Sequence, residues 1–516
     1  LRAYDLSMPV RARAMHRLAG AVAFAPAVCP GAARPRAMRR LAGAVALALA
    51  VCATAAQART SVTGALAALQ RSEAISAADY ARDVHTYVAA QRALGRLRAT
   101  RRLELSAVLE NVRAIAAAGK LTASRAPALF VTLERNTQWW TSHPLLSNGA
   151  RMRFPGSRLV WQYYAGQGLE IQWLGTFGAA NGYYLSGHEN EALRQLLDEA
   201  IPLAAGRAGG IAWEYEFNFD GGAPPWTSGL SQGTALQALA RAGARLKQPS
   251  YLAAARQALG VFGTPPPQGV RVRTGAGAMY AEYSYAPGDR ILNGFIQALV
   301  GLYDYTAITK DPRGLALFED GDAEARAEVP RYDTGSWSRY DQFGESTLGY
   351  HELLTEFLQH LCQRTRKGPP LEAGAPAPAP SPPAPTSPAA TSPAATARPS
   401  AAPAPAPIPG DEVYCTTAQR FGTDLHTPPT IALLTQHVRA GSRAGVQFSL
   451  SKVSNVGMTV RRGSSVVWRN GATLERGRPR LLWLAPRRDG VYSVTLSATD
   501  PAGNFATANG TITVER

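Results

Sequence analysis

Phenols beside carboxylates recur along this chain. Trp213-Glu214-Tyr215-Glu216, the run from Tyr280 through Glu282 and Tyr283, Tyr340-Asp341 and Tyr350-His351 each stand at or near the start of an apolar helical stretch. Trp161, Tyr163, Asp220 and Trp226 belong to the same group. Aromatic faces paired with carboxyls suit carbohydrate. A phenol has an ordinary pKa near 10, so it is a ready acid and a poor base unless a positive neighbour lowers that value; one tyrosinate and one tyrosine would then divide base and acid work. The group holds one His and no Cys, which leaves neither the spacing of a metal centre nor the partners of a nucleophilic triad. No metal and no cofactor is expected.

The elements that would position these residues form a repeat between Phe154 and Leu361. VWQYYAGQGLEIQWLGTFG, WEYEFNFDGGAPPWTSGLSQGTALQALARAG, AEYSYAPGDRILNGFIQALVGLYDY and SWSRYDQFGESTLGYHELLTEFLQHL each read as an aromatic β segment, a Gly or Pro turn and a helix. A second helix, such as ENEALRQLLDEAIPLA, separates successive copies. Stacked units of this size argue for a closed or solenoidal array, here an α/α toroid of about four helix pairs with short β hairpins at one end. Any one tyrosine at such a junction is ordinary packing. Four copies in the same register argue for a shared cleft, whose mouth the β segments would line.

The flanking segments complete a multidomain, mainly α reading. MRRLAGAVALALAVCATAAQA from Met38 has the basic start, apolar middle and small-residue end of a secretory signal, with cleavage expected after Ala58. Residues 1–58 are therefore read as leader, in which RARAMHRLAGAVAFAPAVC duplicates RPRAMRRLAGAVALALAVC; lipidation at Cys52 is disfavoured by Val51. Residues 59–153 read as a helical region, with SAAD at Ser76 as a cap and Gly119 as a stop. Residues 154–366 are the toroid, and 367–410 are a Pro/Ala-rich linker. Residues 411–516 alternate with period two between Gly, Asn and Pro turns, as an antiparallel β-sandwich resembling bacterial immunoglobulin-like domains does. The leader holds eight Arg and one Asp of the +17 net charge, leaving +10, which favours acidic partners. Only five of the basic residues are Lys, so arginine-rich codon usage accounts for part of it. Clustered basic residues interleaved with aromatics are missing, so no nucleic acid is expected. After the leader no apolar run approaches a bilayer span, so a secreted or extracytoplasmic protein is expected. Cys362 and Cys415, an even count at the two ends of the linker, suggest a disulfide.

GGAPPWTSGLSQGTALQALARAG, AEYSYAPGDRILNGFIQALVGLYDY and YDTGSWSRYDQFGESTLGYHELL together resemble the C-terminal catalytic domain of D-glucuronyl 5-epimerases, which convert glucuronate to iduronate within heparan-type polymers. The resemblance spans about two hundred residues in order. It implies catalytic roles for Tyr283, Tyr340 and Tyr350, with Glu282 as the neighbouring acid. Ala281 and Ser284 replace an acid and a proline of the family pattern, and Gln342 and Phe343 stand where an Arg is expected.

Inverting carbon 5 of a uronate removes a proton beside a carboxylate and returns one from the opposite face. Two proton carriers are needed, together with donors or a cation for the charge that develops. Tyr283 and Tyr350 are expected on opposite faces, with Tyr340 holding substrate or relaying a proton. Arg290, Arg331 and Arg339 are the available cations. Trp226, Gln232, Asn293, Arg339 and His351 are the expected substrate-binding residues. The partner is an acidic, uronate-containing polysaccharide. Three other readings stay open: a lyase that expels the carbon-4 substituent, a hydrolase using Glu214 and Asp220, and a non-catalytic polysaccharide binder.

Overall fold

A computed structural model describes residues 60–366 and 411–516; the leader and the linker lie outside the described residues. The first helices are α1 (Val62–Arg71), α2 (Ala77–Arg96), α3 (Ala99–Ala117) and α4 (Ala126–Ser142). Ser76 caps α2, its Oγ accepting from Asp79 N. The helix α3 stops just ahead of Gly119, whose φ of 66° takes the left-handed turn. Leu105, Val108, Leu109, Val112 and Ile115 form its buried stripe. This part is a four-helix arrangement.

Four units follow in which a short β segment precedes an inner helix. Strands β1 (Arg151–Met152), β2 (Trp161–Tyr164) and β3 (Gly168–Ile171) lead to α5 (Trp173–Ser186) and its outer partner α6 (Asn190–Ala200). Strands β4 (Ala205–Arg207) and β5 (Gly210–Ala212) lead to α7 (Gly229–Arg245) and α8 (Pro249–Ala258). Strands β6 (Arg271–Arg273) and β7 (Ala278–Tyr280) lead to α9 (Leu292–Thr309) and α10 (Pro312–Glu328). A hairpin closed by the bridges Asp333↔Ser338 and Arg339↔Glu345 leads to α11 (Leu348–Thr365). The inner helices pack in chain order, α5 on α7, α7 on α9 and α9 on α11. The α7–α9 crossing is closest, because a Cβ on Gly301 would stand 2.0 Å from Gly233 O. The outer partner of α11 is α12 (Asp411–Asp424), which returns from beyond the linker and packs along it.

The remaining chain forms two sheets around one apolar core. One has the order β13 (Arg480–Leu484), β10 (Arg443–Leu450), β8 (Ile431–Leu433). The other runs β12 (Ser465–Leu474), β11 (Ser454–Arg462), β14 (Gly490–Thr499), β15 (Phe505–Glu515), β9 (His437–Arg439), and only its β15–β9 pair is parallel. Alternate residues such as Val446, Phe448, Val456, Met458, Trp483 and Leu496 face inward. One end of this region abuts the hairpin before α11. Ser336 Oγ donates to Ser451 O, Val453 N donates to Glu345 Oε2 at 3.3 Å, and Arg476 pairs with Glu345 at 2.9 Å.

Cys362 and Cys415 are bonded, joining α11 to α12. With 53 residues between them in sequence, the chain-entropy estimate makes the bridge worth up to about 4 kcal/mol. The Cys362→Ser/Cys415→Ser variant is expected to unfold at lower urea concentration by an amount within that bound. An unchanged midpoint would show that helix packing alone fixes α12.

Candidate functional site

Tyr283 is held by backbone bonds on both sides. Ala281 N donates to Val270 O at 2.9 Å and Ala281 O accepts from Gly229 N at 3.0 Å. Ser284 N donates to Thr227 O at 2.9 Å, while its Oγ accepts from Thr227 N at 3.0 Å. Gly229 has to be glycine here, because a Cβ would stand 2.6 Å from Ala281 O. The Tyr283 ring then lands against Phe219, Trp226 and Tyr285, with centroids 5.9, 5.7 and 5.4 Å away. Trp226 is fixed in turn by stacking on Tyr215 at 4.4 Å and by its Nε1–H donating to Phe217 O at 2.9 Å.

The adjacent Glu282 turns toward α9. Its Oε2 lies 2.5 Å from the place a Cβ on Gly294 would occupy, so the glycine of the LNGF segment is the space in which the carboxyl sits. Tyr340 comes from the hairpin, where Tyr340 N donates to Gly344 O at 3.0 Å and Asp341 Oδ1 accepts from Phe343 N and Gly344 N. Gln342 docks that hairpin on the turn before α9. Its Oε1 accepts from Arg290 N at 3.0 Å and its Nε2 donates to Gly288 O at 2.8 Å. Tyr350, in the first turn of α11, has its ring centroid 4.6 Å from that of Tyr340, and the two hydroxyls are hydrogen-bonded. Tyr283 feels the charges of Glu282, Tyr340 and Tyr350, and Tyr340 and Tyr350 each feel that of Glu282. Four polar side chains from two of the units therefore come together.

Burial dominates the electrostatics of that pocket. It raises the Glu282 carboxyl to about 7, against a hydrogen bond from Tyr283 that works the other way. Burial, then neighbouring charge from Glu282 among others, pushes Tyr283, Tyr340 and Tyr350 above the ordinary phenol value. All three phenols are consequently neutral near pH 7. Three buried oxygens around Tyr283 have no hydrogen-bond partner: Glu282 Oε2, the Tyr285 hydroxyl and Asn293 Oδ1. Two of these are acceptors in want of a donor, the condition that sugar hydroxyls can satisfy.

The other expected residues divide sharply. Trp226 and Asn293 belong to the pocket, and Arg339 is half-buried on the hairpin, in bridge register with Glu345. Arg290 is bound to Glu324 at 2.5 Å and Glu328 at 3.0 Å, and Arg331 to Glu328 at 2.7 Å, so acids of α10 occupy both cations. Gln232 is fully buried and bonds the Trp213 backbone in both directions. His351 is also fully buried: it stacks on Trp337 at 3.8 Å, accepts from Ser338 Oγ through Nδ1 at 2.8 Å and donates from Nε2 to Phe421 O at 3.0 Å. Burial lowers its pKa to about 4, so it stays neutral. With both ring nitrogens engaged, His351 positions α12 and offers no polar atom to a substrate. Trp161, Tyr163, Trp213 and Tyr280 likewise pack in the core.

Glu214 is clasped by Arg125 (2.5 Å) and Arg207 (2.5 Å), so it is an ion-paired strut and leaves the hydrolase reading without its acid. Glu170 and Glu216 line a cavity of ≈ 10 Å³ behind Tyr215 and Phe217, room for about one water. Burial raises both carboxyls well above the ordinary range. Phe219, Tyr285, Gln342 and Glu170 were absent from the sequence-derived rim. The alternation Phe217-Phe219 and Tyr283-Tyr285 was the available signal for two of them.

Residues 208–369 match the family described as D-glucuronyl C5-epimerase C-terminus. A Caenorhabditis elegans D-glucuronyl C5-epimerase is 32% identical over 131 residues, which is 23% of this chain and 21% of that protein. An uncharacterized Methanocaldococcus jannaschii protein is 29% identical over 151 residues, 28% of this chain and 49% of its own length. The chain thus spans a fifth to a half of these relatives. Among solved structures, an endo-β-1,4-glucanase of Acetobacter xylinum aligns with a TM-score of 0.25 and 16% identity over 31% of this chain and 50% of its own.

Glu170, Glu216 and Glu282 retain protons in the folded state that the unfolded chain gives up above the ordinary carboxylate pKa. Stability from these groups is therefore lost as pH rises. Above about pH 7.5, where His351 is neutral in both states, the melting temperature is expected to go on falling toward about pH 9. Glu216→Gln should flatten that fall by about 3 °C. An identical slope in the variant would show that Glu216 is already ionised in the native protein.

Proposed function

We propose that the protein inverts carbon 5 of uronate residues, glucuronate to iduronate in type, within an acidic polysaccharide, on an α/α toroid that carries an immunoglobulin-like module. The observation that carries this is the convergence of Tyr283, Tyr340 and Tyr350 around Glu282, inside the segment that matches the epimerase family. The disulfide supports an extracytoplasmic setting.

The raised pKa values redistribute the expected roles. No phenol here is a standing tyrosinate; Glu282, at about 7, is the group that ionises in the working range. On one face the carbon-5 proton passes to the Tyr283 oxygen as the phenolic proton passes to the Glu282 carboxylate. On the other face Tyr350 gives its proton to carbon 5 and is resupplied by Tyr340, with which it shares a hydrogen bond. Charge developing on the substrate carboxylate is met by phenolic donors and by Arg339, the one expected cation that α10 does not occupy. Trp226 supplies the stacking face and Asn293 accepts from a sugar hydroxyl.

Incubation with an unsulfated heparan-type chain in heavy water tests this. Deuterium at carbon 5 of intact chains is expected, whereas unsaturated ends would indicate elimination and new reducing ends hydrolysis. Tyr283→Phe and Glu282→Gln should each slow exchange by about a hundredfold or more. Since Glu282 must be ionised, kcat/KM should rise with pH through about 7, and Glu282→Gln should lose that limb. A Tyr283→Phe protein exchanging at the parent rate would remove the assignment.

A further inference from the structure

The outward face of the β13-β10-β8 sheet carries charge of one sign. Register pairs Arg443 with Leu484, Gly445 with Leu482 and Gln447 with Arg480. Residues directly opposite one another share a face, as do alternate residues on one strand. Arg443, Arg480, Leu482 and Leu484 therefore lie together and exposed, while Val446, Phe448, Leu481 and Trp483 turn inward. Arg478 joins them, its carbonyl accepting from Gln447 Nε2 at 3.3 Å. Arg487 lies over the turn before β10, with its Cγ 3.3 Å from the place a Cβ on Gly441 would take.

None of Arg443, Arg478, Arg480 and Arg487 has an ion pair or side-chain hydrogen bond among the described residues, and no acid lies on the three strands. Glu475 and Asp489 stand only at the ends. The row begins at Arg476, which pairs with Glu345 of the hairpin that presents Tyr340. From there it runs outward for roughly 30 Å at strand spacing. On the other sheet β14 and β15 present Ser493, Thr495, Ser497, Thr499, Thr507, Asn509 and Thr511 outward, and the outward arginines Arg461 and Arg469 stand on β11 and β12.

We infer that this arginine row is a secondary binding track for an acidic polysaccharide, holding the chain beyond the cleft by carboxylate–guanidinium pairs. This rests on the proposed substrate class, though not on the reaction. Planar guanidinium forks fit carboxylates, and a row of unpaired cations raises the local concentration of a polyanion. The exposed leucines between them supply apolar surface for sugar rings. Only a chain long enough to reach past the cleft gains from the track.

The test uses the full chain and two labelled probes, an unsulfated heparan-type polymer of about forty sugars and its six-sugar fragment, with Kd read by fluorescence polarisation. The parent should bind the long probe at least about tenfold more tightly than the fragment. The R443S/R478S/R480S variant should lose that advantage and keep the fragment affinity. An equal neutralisation elsewhere, R96S/R461S/R469S, should retain it. The inference is overturned if the parent shows no length dependence, if the track variant keeps the long-probe Kd within twofold, or if the control variant loses as much. Carbon-5 exchange is read separately, so failure of the track leaves the epimerase assay standing, and the converse holds too.

Discussion

A carboxyl and three phenols are kept out of water with no cation beside Glu282 or Tyr283 among the described residues, and much of the helical region is arranged around that constraint. Taking Glu282 from solvent is unfavourable to its charged form, which is why it titrates near neutrality. The exclusion needs close backbone approach, and glycines supply it: Gly229 lets the Tyr283 segment lie against the start of α7, and Gly294 leaves a recess for the carboxyl. Aromatic rings from Tyr215 to Trp226 seal the side facing Glu170 and Glu216. The hairpin closes another side, fixed to α9 by Gln342 and to the β-rich region by Glu345. Enclosed in this way, Glu282 Oε2, the Tyr285 hydroxyl and Asn293 Oδ1 are left without hydrogen-bond partners.

The repeat was legible because each unit places an extended aromatic segment at the same point before an inner helix. That regularity located Glu282, Tyr283, Tyr340 and Tyr350 in one region. It could not separate Tyr280 from Tyr283, since both faces of the segment are buried and alternation then sends one ring to the core and the other to the pocket. Gln232 and His351 misled for a similar reason. Each occupies a helix start of the expected kind, yet its partners are the Trp213 backbone, Ser338 and Phe421, contacts distant in sequence or hidden in a loop. The cations were illegible without α10, whose Glu324 and Glu328 are set far from Arg290 in sequence and reach it only through folding.

The β-rich region was legible as alternating strands, but its relation to the rest was not. A proline-rich run reads as a spacer, whereas the chain returns to the helical region as α12 and leaves it again at Asp424. Lys452, buried against Asp500 at 2.8 Å, donates to Asp424 O at 2.9 Å and lies 5.3 Å from the Trp337 ring. A buried ion pair thus sits where the two parts meet, next to the hairpin that carries Tyr340. Position of that phenol depends on both parts.

The bond between Cys362 and Cys415 brings their Cα atoms to 5.0 Å. The intervening segment consequently begins and ends at nearly one point, so its length does not set how far apart the two regions stand. A protease that severed it would leave both fragments in one covalent particle, separable only after thiol treatment.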